Sequence, residues 1–190
     1  MENVIILASN NKNKLKEIKA KLNPFGIEII SQKEAGYDIE VEETGTTFAE
    51  NAYLKAKAIY DITKLPVVAD DSGLEIEALN GAPGVYSARY APVGQRKAKI
   101  LSAMKDIPYN ERNANYTCCV CYIDNHGKEH YFEGKCFGKI GYECRGTNGF
   151  SYDSIFMYGD KSFAEISPDE KNKISHRAKA INLFKDYICK

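Results

Sequence analysis

Short apolar runs of β character alternate with helical segments along this chain, and that alternation confines it to few folds. Residues 4–8, VIILA, form the first such run. Residues 14–22 then carry Leu15, Ile18 and Leu22 at helical spacing, closed by Pro24 and Gly26. Residues 27–30 read as a second strand. Thr46 or Thr47 caps a long helix that runs to about Thr63, and Glu50 is placed to complete a capping box from Thr47. Residues 65–69 predict another strand and residues 95–105 another helix. The long alternating stretches 114–124 and 129–139, joined across Asn125-His126-Gly127-Lys128, predict a hairpin. A short strand at 154–157 follows, and a last helix begins at Asp169 or Ser175 and ends at Ile188. Strands alternating with helices, plus one antiparallel hairpin, predict an α/β fold with a mixed twisted sheet flanked by helices. Without repeats, low-complexity tracts or Pro/Ser-rich linkers, the 190 residues predict a single domain, 1–190, able to bury a substantial core.

Charge narrows the partners. Lysines and arginines number 26 and acids number 26, so the formal charge is zero. Such balance argues against DNA or RNA and against an anionic membrane, which favour a basic excess. A small anionic ligand met by a local basic cluster stays open. No apolar run approaches the ~20 residues of a membrane span. The N-terminus lacks the basic and apolar regions of a signal peptide, so a cytoplasmic location is expected. Of six cysteines, Cys118, Cys119 and Cys121 lie in a β-rich run, Cys118 facing one way and the other two the opposite way. That is not the CxxC spacing of a zinc site, and all six read as small hydrophobes or free thiols.

The chemistry gathers in a few places. Asp70 and Asp71 end the 65–69 run, followed at once by Ser72-Gly73. Adjacent carboxylates repel, so a pair at a strand end is either a solvated turn or is relieved by a cation or a shared proton. Mg²⁺ suits such oxygen ligands, because it binds through one or two carboxylates plus substrate phosphates. Glu42 and Glu43, ahead of Thr44-Gly45, can serve the same end or simply favour the dipole of the next helix. Ser9, Asn10, Asn11, Lys12, Asn13 and Lys14 follow a strand and open a helix, a place where unpaired N–H groups bind phosphate. The GxxxxGK[ST] spacing of a Walker A loop is absent. Lys55 is a further phosphate candidate.

Phe150 and Tyr152, two apart in a Gly-led loop, are either core aromatics or faces on which a purine stacks. Asp153 can accept from the N1–H of a 6-oxopurine, where adenine has a bare acceptor. Arg177 and the backbone of His176 can donate to O6, where adenine offers an amino donor instead. A buried mismatch of that kind rejects the wrong base by ~10⁴ or more. Guanine shares N1–H and O6, and these residues give no account of its rejection.

Five blocks in order resemble the Ham1-type inosine/xanthosine triphosphate pyrophosphatases: Ser9 to Lys14, the Glu42-to-Ala52 stretch, residues 67–91, residues 149–156, and Ile174-Ser175-His176-Arg177. The resemblance implies Mg²⁺-dependent cleavage of ITP, dITP and XTP between the α and β phosphates, releasing monophosphate and pyrophosphate and clearing deaminated purines from the nucleotide pool. It implies two lobes around a central cleft, and a homodimer. It assigns Glu42 and Asp71 to the metal and Asp71 to the attacking water. The phosphates go to residues 9–14 with Lys55. Ser72, Phe150, Ser151, Tyr152, Asp153, Lys171, His176 and Arg177 are the remaining substrate contacts. Whether Asp71 takes its proton from a metal-held water or shares the work with Asp70 stays open, since a direct ligand is a poor base. Ser151 and Ser154 stand where the family usually has Gly and Pro. A Maf-like pyrophosphatase of other base choice and a nucleotide-binding module without turnover are the alternatives.

Overall fold

The computed structural model describes residues 4–149 and 151–190, with Asn13 described only through its backbone. Among the described residues, seven strands are hydrogen-bonded in the order β2-β1-β3-β4-β5-β6-β7. They are β1 (Val4–Leu7), β2 (Glu28–Ser31), β3 (Val67–Ile76), β4 (Asn113–Ile123), β5 (Glu129–Ile140), β6 (Phe156–Tyr158) and β7 (Lys161–Ser162). β1 runs parallel to β2 and to β3, whereas β5-β6 and β6-β7 are antiparallel, so the sheet is mixed. The helices are α1 (Lys12–Leu22), α2 (Phe48–Thr63), α3 (Arg96–Ala103), α4 (Pro168–Ile174) and α5 (His176–Ile188). Among the described residues no helix is long and apolar enough to cross a membrane.

The chain divides into two compact units, and β3, β4 and β5 each run from one into the other. The first unit takes the chain up to Asp71, then Cys118–Glu133 and Ala180–Lys190. Its strands sort their side chains by the two-residue period of a pleat. Ile5, Leu7, Val68, Cys118 and Val120 join Ile18 and Leu22 of α1 and Phe184 of α5 in one apolar cluster. Ile6, Val67, Ala69, Cys121 and Ile123 join Ala52, Ala56 and Ile59 of α2 in another. The opposite facing of Cys118 and Cys121 expected from alternation is therefore observed, and all six cysteines are free. The second unit, Ser72–Thr117 with Gly134–Lys179, packs Leu74, Ile76, Ile100, Met104, Tyr116, Phe156 and Phe163 into its own core.

Local signals explain most boundaries. Thr47 caps α2 and accepts from the Glu50 N–H at 3.1 Å, while Glu50 accepts in return from the Thr47 N–H at 3.1 Å. That reciprocal pair completes the capping box, worth about 1 kcal/mol at such ends. Two expectations need correction. β3 does not stop before the acids: it continues through Asp70-Asp71-Ser72-Gly73 to Ile76. Here pairing and burial override residues that favour turns. The last helix keeps the later of its two expected starts: α5 opens at His176, after Ser175 in extended angles (φ −65°, ψ 155°), and the short α4 stands apart before it. β6 begins two residues later than expected and is followed by a short β7 that polar Lys161 and Ser162 had concealed.

Ser151 holds φ at +55°, the left-handed region where a Cβ costs ~1–2 kcal/mol. Ser151→Gly removes that cost but enlarges the unfolded ensemble by about 0.5–1 kcal/mol. The expected net is a gain of up to about 1 kcal/mol, read as a melting temperature higher by about 2–4 °C. A lower melting temperature would show that the Ser151 side chain contributes more than its backbone strain.

Candidate active site

In the first unit, the pleat of β3 separates the two acids. Asp70 and Asp71 are each 8 % exposed. Asp70 Oδ1 meets Lys14 Nζ of α1 at 3.0 Å, and its Oδ2 lies 3.9 Å from Cys118 Sγ. Asp71 turns the other way, toward α2. Its Oδ1 lies 3.4 Å from Lys55 Nζ, and its Oδ2 accepts from Asn51 Nδ2 at 3.2 Å. The sequence expectation of two acids at a strand end is therefore corrected. They sit within the strand, on opposite faces, each with its own lysine.

Lys55 reaches a second carboxylate, Glu43, at 2.5 Å. Burial alternates through this stretch, Glu43 half-buried and Glu42 exposed. Of the two glutamates, the structure thus brings Glu43, not Glu42, to Lys55 and Asp71; Glu42 accepts from the Thr44 N–H through its backbone carbonyl. Burial pushes the Asp71 carboxyl above its ordinary value; Lys55 opposes that and Glu43 adds to it. Burial works against the Lys55 ammonium too, but Asp71, Asp70 and Glu43 outweigh it and the net shift is upward. Two carboxylates around one ammonium leave a net negative charge, and all the acid ligands are hard oxygens. That donor set fits a hard divalent ion.

The phosphate candidates open α1. Asn11 caps it: Asn11 Oδ1 accepts from the Lys14 N–H at 3.3 Å, and Ser9 Oγ from the Asn11 N–H at 3.1 Å. Asn10 Nδ2 donates to Asp38 Oδ1 at 2.7 Å, and Lys12 is exposed in the first turn. The Asn13 side chain lies outside the described residues.

The base candidates belong to the second unit. Asp153, 3 % exposed, accepts from Lys171 Nζ at 2.6 Å, and Tyr116 Oη lies 3.4 Å from its other oxygen. Gly149 (φ +76°) makes room for it, since a Cβ there would fall 2.1 Å from Asp153 Oδ2. The Tyr116 ring stacks on His176, centroids 4.7 Å apart at 10°. Arg177 Nη2 donates to Ser72 Oγ at 3.1 Å, and Ser154 Oγ lies 3.1 Å from Lys97 Nζ. Tyr152 is corrected: it is 1 % exposed, packed in the core, with its O–H donated to the Ser87 carbonyl at 2.8 Å. So enclosed a ring offers no face to a base. Phe150 lies outside the described residues. Asn51 and Tyr116 escaped the sequence reading. Asn51 had a signal: it is a lone amide on the buried stripe of α2, with Phe48, Ala52, Ala56 and Ile59.

Acids on opposite faces of one strand, each matched to a lysine from a flanking helix, mark an α/β protein with the donor set for cation and phosphate chemistry. A sequence profile of the Ham1 family matches residues 5–187, and the chain belongs to that family. The dITP/XTP pyrophosphatase of Clostridium perfringens is 46 % identical over 195 residues, covering 96 % of each chain. That of Haemophilus influenzae is 44 % identical, covering 99 % of this chain and all of the relative. Among solved structures, a HAM1 protein from Coxiella burnetii superposes with a TM-score of 0.91 at 39 % identity, covering 97 % of this chain and 98 % of that one.

Proposed function

We propose that this chain, acting as one pyrophosphatase domain, hydrolyses dITP, XTP and ITP between the α and β phosphates, giving the monophosphate and pyrophosphate. The observation that carries the reading is the group Asp71, Lys55 and Glu43: a buried carboxylate raised above its ordinary value beside a cation and a second acid. Asp71 takes the proton of the attacking water, through a water held by the ion or together with Asp70, because a carboxylate that ligates the ion directly is a poor base. Asp71 and Glu43 are the residues that would hold Mg²⁺; the ion, when bound, neutralises phosphate charge. Lys14 and Lys55 exchange their carboxylate partners for phosphate oxygens, and the capped N-terminus of α1 adds backbone N–H donors. At the base, Asp153, with Lys171 Nζ at 2.6 Å, accepts from N1–H, and Arg177 donates to O6. Adenine reverses both polarities, so it is rejected. The same reading makes the enzyme a homodimer, to be checked by light scattering on the purified protein.

The test is a product assay. Incubated with dITP, XTP, ITP, GTP and ATP plus Mg²⁺, the enzyme should release pyrophosphate one-to-one with monophosphate from the first three. Orthophosphate with a diphosphate as primary products would overturn the bond assignment. Equal rates on ATP would overturn the base assignment.

A further inference from the structure

Asn51 is fully buried near the start of α2 and joins two parts of the first unit that are remote in sequence. Its Oδ1 accepts from the Gly45 N–H at 2.8 Å, and its Nδ2 donates to Asp71 Oδ2 at 3.2 Å. The backbone N–H of Gly45 can only donate, so it fixes which end of the carboxamide is oxygen. The amino end must then face Asp71. The contact is sterically committed as well: a Cβ on Gly45 would fall 2.7 Å from Asn51 Oδ1 and 2.7 Å from Glu50 Cβ. One helical turn on, Lys55 repeats the connection, binding Asp71 through Oδ1 and Glu43 of the same loop. Two side chains of α2, four residues apart, therefore hold both oxygens of Asp71 and both ends of the Glu43-Thr44-Gly45 turn.

We propose that Asn51 is the positioning residue of the reaction: it orients the Asp71 carboxylate relative to the Glu43 turn and acts on turnover only through Asp71. Lys55 cannot do this alone, because an ammonium on a flexible stem attracts a carboxylate without fixing its plane. A carboxamide whose other end is locked to backbone does fix it. Partners of this kind, one bond removed from the reacting group, usually cost 10–100-fold when removed.

The inference rests on the pyrophosphatase reading, and its test separates the two. Asn51→Asp keeps an acceptor for the Gly45 N–H and replaces the donor that faces Asp71. With dITP and Mg²⁺, its kcat should fall ~10–100-fold while KM stays within about threefold. Gly45→Ala, whose Cβ would meet the Asn51 oxygen and Glu50 Cβ at 2.7 Å each, breaks the same contact from the other side and should give the same split; it also serves if Asn51→Asp does not fold. A kcat within threefold of the parent in a folded variant, or kcat and KM deteriorating together, would overturn the assignment. Independently of turnover, the Asn51 side-chain NH2 signals in a ¹H–¹⁵N spectrum should be protected from exchange and should move in Asp71→Ala; unmoved signals would overturn it too. A parent that releases no pyrophosphate refutes the functional reading instead, and the spectrum still decides the role of Asn51.

Discussion

Asp71→Asn should lower turnover of dITP by ~10²–10⁴-fold, the range for losing a general base, and by more if metal binding fails with it. The variant should nevertheless stay folded. Asp71 is buried, and its carboxyl is held above its ordinary value even with Lys55 beside it. An acid raised in the folded state destabilises that state progressively as the pH climbs above the unfolded value, the cost being complete above the folded one, because the unfolded chain ionises it more easily. At neutral pH the isosteric amide removes that penalty, and Lys55 keeps Glu43 at 2.5 Å. The melting temperature should therefore hold or rise while activity collapses, the usual sign of a site whose charge serves function at the expense of stability. Activity within about threefold of the parent would reject Asp71 as the base. Attention would then pass to Asp70, whose own lysine, Lys14, lies at 3.0 Å.

How much of this was legible from the residues depends on the range of the forces involved. The capping box of α2 is local, written in Thr47 and Glu50, and it appeared where expected. The long alternating stretches that became β4 and β5 were equally plain, because alternation over ten residues leaves little choice of structure. The course of β3 through Asp-Asp-Ser-Gly was not plain. Those residues prefer turns, and what overrides them is pairing and burial against partners far along the chain. From that one miss followed the wrong picture of the acids, as a pair at a strand end rather than on opposite faces. Glu43 was within reach, since an extended run sends neighbours to opposite sides, but which side meets Lys55 is a tertiary fact. Tyr152 had two readings, core and stacking face. Only the enclosed ring and its bond to the Ser87 carbonyl decided for the core. Asn51 was hidden because attention goes to charges, whereas an amide orients a charge without carrying one.

The ion pair of the second unit gives the other large effect. Asp153 has a side chain 4 % exposed and Lys171 one 18 % exposed, with 2.6 Å between them. Lys171→Met keeps the length of the stem and removes the ammonium, leaving the buried Asp153 carboxylate without its Lys171 partner. Breaking a buried pair from one side costs about 3–5 kcal/mol, so the melting temperature should drop by roughly 10 °C. Asp153→Asn in the same background removes the stranded charge and should restore most of that loss, since a buried pair replaced on both sides is often close to neutral. Stability and base choice then separate. The doubly substituted enzyme presents an amide where the carboxylate was, and an amide can turn a donor toward the bare N1 of adenine as readily as an acceptor toward N1–H. Its preference for dITP over dATP should shrink by at least tenfold while pyrophosphate remains the product. If the double variant regains its melting temperature and keeps the parent's dITP-to-dATP ratio, Asp153 is a structural partner of Lys171 and nothing more. Base choice would then rest on Arg177, whose Nη2 is anchored on Ser72 at 3.1 Å and whose guanidinium can donate to O6 but never accept from an amino group.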